Sequence, residues 1–325
     1  MNEIVVMYSS TTEADDVFLK FLKETIIAKP PYLKDGDKVV ILSPAGAIDD
    51  KWVDGAESTL TSWGLDVIVS DFAKSKKGRF AGSDEQRLAE FNKAITDPNV
   101  KAIFCSRGGY GAVRIVDDID WAALVRSPKW IIGYSDITLL HSAANKAGVA
   151  SLHAPMAQHL AKNANDVTTE FMKNILFGVK PVLTFSAKPI DRKGEVEAEI
   201  VGGNLAVMTS MGSTKYEFDY TDKILFIEEI AEPAYKIERM LYQLKLSGVF
   251  SRIKGLIVGQ MTDCPDDSTM GITINEIISK TSLEVNGPVC FDFPIGHVVQ
   301  NYSIVEGGRY RFKVDDDTVS LDFIG

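Results

Sequence analysis

Trp130-Ile131-Ile132-Gly133-Tyr134-Ser135-Asp136-Ile137-Thr138-Leu139-Leu140-His141 is the stretch on which the fold turns. A short apolar strand, Trp130 to Ile132, runs into Gly133-Tyr134-Ser135-Asp136, and a helix follows at once, predicted from Asp136 to Ala147. A strand with no polar face has to be covered on both sides, as in a parallel sheet flanked by helices. A serine on such a strand-to-helix turn projects its hydroxyl at the carboxyl edge of the sheet, where open α/β folds bind ligands. The Asp136 amide opens the helix and is free to donate to an oxyanion. The G-x-S-x-G elbow pattern is not met, because Ile137 fills its last place. The residues alone leave two readings: a helix cap from Ser135 or Asp136, or a nucleophile at Ser135.

Upstream, the same alternation recurs. Lys38 to Leu42, Asp66 to Val69 and Val100 to Cys105 read as strands, and Asp49 to Trp63 and Glu85 to Thr96 as helices. This is the pattern of an α/β domain with a parallel sheet. Before it, Glu13 to Ile27 carries apolar residues at helical spacing, stopped by Lys29-Pro30-Pro31. Downstream, composition changes between Asp166 and Glu195, where prolines and lysines separate weak patterns. The second half reads as strands Ile224 to Ile227, Gly255 to Val258, Val289 to Phe293, Ser303 to Val305 and Arg309 to Val314. Only two clear helices, Ala234 to Leu246 and Thr273 to Thr281, interrupt them. The expected organisation is an extension over 1–34, a nucleophile-bearing domain over 35–165, a linker over 166–194 and an α+β domain over 195–325.

Three further segments carry chemistry. Ser106-Arg107-Gly108-Gly109-Tyr110-Gly111 follows a strand, and glycines there let backbone approach a ligand. A dinucleotide fingerprint would need a third glycine where Arg114 stands, so a nucleotide-dependent oxidoreductase has weak support. The alternatives are an oxyanion amide near Gly109 with Arg107 as a carboxylate anchor, or a plain tight turn. Glu228-Glu229 end a strand and could orient a histidine, or simply face water. His297 lies in a loop, Phe293-Pro294-Ile295-Gly296-His297, where a lone histidine is usually an ordinary surface residue. Of the other histidines, His141 falls two turns into its helix and is expected to point away from the serine turn, His153 falls in a loop and His159 on a helix. No H-E-x-x-H or C-x-x-C is present, so neither a metal nor a cofactor is expected.

Composition sets the frame. The 325 residues are 45% apolar and 25% charged, long enough for two cores. The net charge of −10 disfavours nucleic acid as a partner. The basic runs Lys74 to Lys77 and Lys188 to Lys193 read as solvated loops. No apolar run is long enough for a bilayer, and the first ten residues lack the marks of a secretory signal. Three cysteines, Cys105, Cys264 and Cys290, show no pairing pattern, which suits a reducing, cytoplasmic compartment.

Ser43-Pro44-Ala45, Ser106 to Gly111, Gly133-Tyr134-Ser135-Asp136, Gly202-Gly203-Asn204, Phe226-Ile227-Glu228-Glu229 and Pro294-Ile295-Gly296-His297 occur in that order. Together they resemble the L,D-carboxypeptidase family of serine peptidases, which includes muramoyltetrapeptide carboxypeptidases and microcin C self-immunity hydrolases. The resemblance covers Gly36 to Phe312 and leaves out residues 1–34. It implies a Rossmann-like parallel-sheet N-terminal domain, a smaller β-rich α+β C-terminal domain, and a site between them. It implies a triad of Ser135, Glu228 and His297, an oxyanion hole from the Gly109 and Asp136 amides, and substrate contacts from Arg107, Tyr110 and Asn204. The family usually has Glu-Asp where this chain has Glu228-Glu229, so two glutamates compete for the histidine. Successive side chains leave a strand on opposite faces, and the family order favours Glu228. The implied reaction releases a terminal D-amino acid from cytosolic muropeptides without a cofactor, in a homodimer. The microcin-type alternative needs an aromatic platform for a nucleobase. Ala157 to Ile200 offers Phe171, Phe177 and Phe185 but no Trp or Tyr, which favours the murein peptide. A muropeptide-binding protein without catalysis is the other class, and a general base argues against it.

Overall fold

β1 (Lys38–Leu42), β2 (Asp66–Val69), β3 (Val100–Cys105) and β4 (Trp130–Gly133) are the parallel strands that the apolar runs predict, in a computed structural model that describes residues 27–325. A fifth parallel strand, β5 (Ser151–His153), pairs with β4, so His153 sits in the sheet and not in a loop. Helices α1 (Asp50–Ser62), α2 (Asp84–Thr96), α3 (Trp121–Arg126) and α4 (Thr138–Lys146) alternate with them. α2 is delimited by a capping box: Ser83 Oγ accepts from Gln86 N and Gln86 Oε1 accepts from Ser83 N.

The stretch 166–194, expected as a linker, is built into the molecule. After α5 (Ala157–Lys162) it holds α6 (Val167–Leu176), capped by Asp166, and the edge strand β6 (Val182–Ser186). The second sheet then follows with β7 (Gly194–Asn204), α7 (Leu205–Ser210), β8 (Ile224–Ile230), α8 (Ala234–Leu246), α9 (Val249–Arg252), β9 (Gly255–Thr262), α10 (Ile274–Thr281) and β10 (Val289–Cys290). It ends with β12 (Arg309–Val314) and β13 (Thr318–Phe323), in the order β10-β9-β8-β7-β12-β13-β6. β7 to β10 are parallel, and β12, β13 and β6 add antiparallel strands.

The strand between them, β11 (Ile304–Glu306), departs from the expected organisation. It leaves the second half and pairs antiparallel with β5, completing the first sheet as β11-β5-β4-β3-β1-β2. The chain from β10 to β11 therefore crosses from one sheet to the other, and His297 rides on that crossing. The predicted helix from Glu13 to Ile27 lies outside the described residues but for its last position. Residues 28–33 are tied to the first sheet: Ala28 bridges Val149, Trp130 Nε1 donates to Pro31 O at 2.9 Å, and Leu33 is buried. No helix among the described residues is long and apolar enough to cross a membrane.

Candidate active site

Ser135 stands at the end of β4 with φ +67°, a left-handed backbone that a side chain rarely adopts. The turn aims Oγ outward at the carboxyl edge of the sheet. Gly108 makes room for it: a Cβ there would lie 2.8 Å from Ser135 Cβ and 3.1 Å from its Oγ. Behind the turn, Ser135–Ile137 form a 3-10 turn and the α-helix begins only at Thr138. That tighter winding rotates His141 back over the strand end, contrary to the expectation that it points away. Its Nε2 donates to Gly133 O at 2.8 Å, and Nδ1 accepts from the Ser151 hydroxyl at 2.8 Å. Burial pushes His141 down to about 4, so it is neutral there. The Asp136 carboxylate accepts from Ala112 N at 2.9 Å, tying the turn to the glycine loop; burial raises its pKa against that bond.

Glu228 and His297 meet from the other half. His297 Nδ1 lies 2.7 Å from Glu228 Oε2, with the carboxylate fully buried and the imidazole half-buried. Glu228 sits where the β8–β9 pairing breaks register between Ile227 and Glu229, a bulge that re-aims the side chain. Gly296, with φ +114°, lies directly on it: a Cβ would come within 2.8 Å of Glu228 Cβ and Oε2. The loop can therefore seat His297 on this carboxylate only with glycine before it. Asn301 Oδ1 holds the Gly296 N–H at 2.9 Å, and the Tyr134 ring meets the imidazole edge-on at 4.9 Å. Burial, and then the Glu228 charge, push the Tyr134 phenol up to about 12.

Glu229 points elsewhere. Its carboxylate accepts from Asn204 Nδ2 (2.9 Å), Ala206 N (2.7 Å) and Ile230 N (2.8 Å). Neither glutamate faces water; both are buried. Asn204, expected to touch substrate, is buried and does not line the cleft. Its Oδ1 caps α7 through Val207 N, and its amide holds Glu229.

Ser135 and His297 open into one cleft of about 900 Å³, together with Arg107, Gly109 and Tyr110. Ser135 Oγ and His297 are not directly hydrogen-bonded. The Gly108 carbonyl accepts from Gly46 N at 2.9 Å. In a trans peptide the following N–H points the opposite way, so the Gly109 amide faces away from Gly46. Arg107 donates to the Ala47 carbonyl, which leaves the rest of its guanidinium open to the cleft. Lys76, read as part of a solvated run, lines the cleft too. The sequence reading quoted Gly108 and Gly296 within their motifs but not what they make room for, Ser135 and Glu228, because a glycine required by close approach looks like any turn glycine. Arg87 left no signal at all: buried, it donates to the Pro44 and Gly111 carbonyls and so holds both loops beside the cleft. Among the described residues no group of three or more His, Cys, Asp or Glu gathers as a metal would need.

Comparison with known proteins meets this geometry. Residues 39–154 match the family model described as the LD-carboxypeptidase N-terminal domain, and residues 197–312 match that of the LD-carboxypeptidase C-terminal domain. A "probable murein peptide carboxypeptidase" of Bacillus subtilis is 32% identical over 90% of this chain and 94% of its own length. A murein tetrapeptide carboxypeptidase of Pseudomonas aeruginosa is 28% identical over 85% of this chain and 95% of its own. The crystal structure of a muramoyltetrapeptide carboxypeptidase from Oxalobacter formigenes superposes with a TM-score of 0.82 at 29% identity, covering 89% of this chain and 99% of the other. A microcin C7 self-immunity protein shares the fold, with a TM-score of 0.80 at 20% identity over 91% of this chain and 98% of the other.

Proposed function

The chain belongs to the LD-carboxypeptidase family and is a serine-type carboxypeptidase, a hydrolase; from that premise we propose that it releases the terminal D-amino acid of cytosolic murein peptides through a triad of Ser135, Glu228 and His297. The observation that carries the reading is the 2.7 Å contact between His297 Nδ1 and the buried Glu228 carboxylate, with His297 lining the cleft that holds Ser135. A carboxylate only accepts, so it keeps the imidazole proton on Nδ1 and leaves the Nε2 lone pair as the base. Ser135 Oγ gives its proton to Nε2 as it bonds to the scissile carbonyl carbon. The Gly109 and Asp136 amides hold the oxyanion. The C–N bond breaks, Nε2 returns the proton to the departing amine, and water hydrolyses the acyl-enzyme by the reverse use of the same base. One oxyanion donor is worth on the order of 10²–10³-fold. Arg107 is the candidate for the terminal carboxylate, with Tyr110 beside it.

The cytosolic setting is supported by three unpaired cysteines. We carry the homodimer over from the family resemblance, and the division into domains over 35–165 and 195–325 from the change of composition between Asp166 and Glu195. The peptidyl-nucleotide alternative finds an aromatic ring in the cleft, Trp52, but the ammonium groups of Lys51 and Lys162 already lie over it, each 4.6 Å from the centroid. A nucleobase would have to displace them.

The test is hydrolysis of a panel of L,D-linked tetrapeptides and peptidyl-adenylate mimics, followed by mass. Release of D-alanine from the tetrapeptides, an acyl adduct on Ser135, and a loss of several orders of magnitude in Ser135→Ala with unchanged circular dichroism are the expected results. Near-native turnover in folded Ser135→Ala, or cleavage confined to the adenylates, overturns the reading.

A further inference from the structure

The cleft carries more positive charge than a single terminal carboxylate needs. Lys76, Arg79, Arg107 and Lys162 line it against one carboxylate, Asp49, in a chain whose net charge is −10. None of the four cations has an ion-pair partner within 4.0 Å among the described residues, although eighteen such contacts form elsewhere. A concave surface of one sign focuses its field and raises the local concentration of oppositely charged ligand.

Packing sets this wall. α1 crosses α5 at very close range, because Gly55 lies against Ala161: a Cβ on Gly55 would fall 2.4 Å from Ala161 Cβ. Thr59 Oγ1 pins the crossing on Leu160 O at 2.9 Å. The crossing puts Trp52, one turn before Gly55, beside Lys162, the neighbour of Ala161. Lys51 and Lys162 each place their ammonium 4.6 Å from the same indole centroid, so two like charges share one ring, and neither has an ion-pair partner within 4.0 Å among the described residues. An anion seated there relieves that repulsion. The Arg79 guanidinium, also in the cleft lining, lies 5.4 Å from the centroid of the exposed Tyr110 ring and has no ion-pair partner among the described residues, which leaves its donors for a carboxylate fork.

We propose that Lys76, Arg79 and Lys162 form an anion subsite that recognises a second carboxylate of the peptide, one outside the scissile bond, and so select free-acid substrates over amidated ones. This rests on the reading of the cleft as a peptidase site and adds its specificity. Arg107, on the glycine loop beside Ser135, serves the terminal carboxylate; the other three lie on the β2–α2 loop and on α5 and meet the body of the peptide. A γ-linked D-glutamyl residue presents the required group, since its α-carboxylate is left free by the linkage. Amidation removes the charge with almost no change in shape.

The experiment compares the tetrapeptide L-alanyl-γ-D-glutamyl-L-lysyl-D-alanine with its glutamyl α-carboxamide, by calorimetric titration into Ser135→Ala. The free acid is expected to bind about tenfold more tightly. That preference should shrink to about twofold when Lys76→Gln, Arg79→Gln and Lys162→Gln are added. Equal binding of the two peptides overturns the subsite, as does a preference that survives the triple neutralisation in a folded protein. The unmutated chain gives a reading that needs no variant to fold: its acid-to-amide ratio of kcat/KM should fall towards one as salt rises from about 20 to 500 mM. A ratio of one at low salt overturns the subsite. Absence of any tetrapeptide hydrolysis overturns the peptidase reading instead, while the binding preference still decides the subsite.

Discussion

Ser135 pays for its exposure with a left-handed backbone, φ +67°. For a residue with a Cβ this conformation costs roughly 1–2 kcal/mol, a cost that glycine escapes. Ser135→Gly and Ser135→Ala should both abolish turnover, and the glycine variant should be the more stable by about 1 kcal/mol in urea unfolding. Equal stabilities would mean that the turn is unstrained. The two glutamates separate in the same way. Glu228→Gln leaves the shape but swaps an acceptor for an amide at His297 Nδ1, and turnover should fall about 10³–10⁴-fold with little loss of stability. Glu229 receives three donors, from Asn204, Ala206 and Ile230, across its two oxygens. Glu229→Gln leaves one of them unsatisfied and should lower stability by about 1–3 kcal/mol, with the smaller effect on kcat. The reverse pattern would put the roles on the other residue. The contact of His297 with Glu228, beside the cleft that holds Ser135, was legible because motif order brings these distant residues together. Asn204 was offered as a substrate contact by the family resemblance alone; its cap on α7 and its bond to Glu229 exist only in three dimensions and left no local signal.

At the scale of elements, β1, β3 and β4 were legible because buried strands are short apolar runs between turns, and the half-exposed edge strand β2 through its β-branched run Val67 to Val69. β7 was not: Glu195, Glu197 and Glu199 alternate with smaller apolar residues, and only the partner strand β12, with Arg311 against Glu197, shows the pairing. β11 was seen as a strand and assigned to the wrong sheet, since three residues carry no information about their partner. Its junction with β5 buries three ionisable groups. Glu306 Oε1 lies 4.0 Å from His141 Nε2, with His153 alongside. Burial pushes Glu306 well above the ordinary carboxyl range and both histidines below theirs. The signs oppose one another. Between pH 6.5 and about 4 the unfolded chain takes up protons that folded His141 refuses, so stability falls with falling pH, by on the order of 3 kcal/mol for His141. Folded Glu306 keeps its proton where the unfolded chain has lost it, so its contribution is full below the ordinary carboxyl range and is lost as pH rises through the folded value. Glu306→Gln, a neutral isostere, should flatten the alkaline arm. Its stability relative to the native chain should rise with pH between about 5 and 8, by up to ~1.4 kcal/mol per pH unit. Urea unfolding across that range measures it; a difference independent of pH would mean that Glu306 is ionised in the fold.

For the whole molecule, a weak stretch over 166–194 between two strongly patterned halves reads as a hinge between independent units. The structure joins them. One apolar cluster runs without a break from Ile131, Ile137 and Leu140 in the first half to Val201, Leu225 and Val258 in the second. A second cluster does the same through Leu152, Ile200, Phe226 and Ile304. The chain adds to this by its path: it enters the second sheet at β6, returns to the first as β11, and goes back as β12. Releasing β11 would strip the edge from β5 and free the loop that holds His297, so the first sheet cannot lose its edge while the site survives. Domains joined only by a linker unfold separately, whereas shared cores and a shared sheet couple them. Calorimetry of the full chain should therefore give one transition with a van't Hoff to calorimetric enthalpy ratio near one, and peptidase activity should vanish along the same curve. Two resolved transitions, or activity lost well before the bulk of the secondary structure, would mean that the seam at β5 and β11 is too weak to make the halves fold as one.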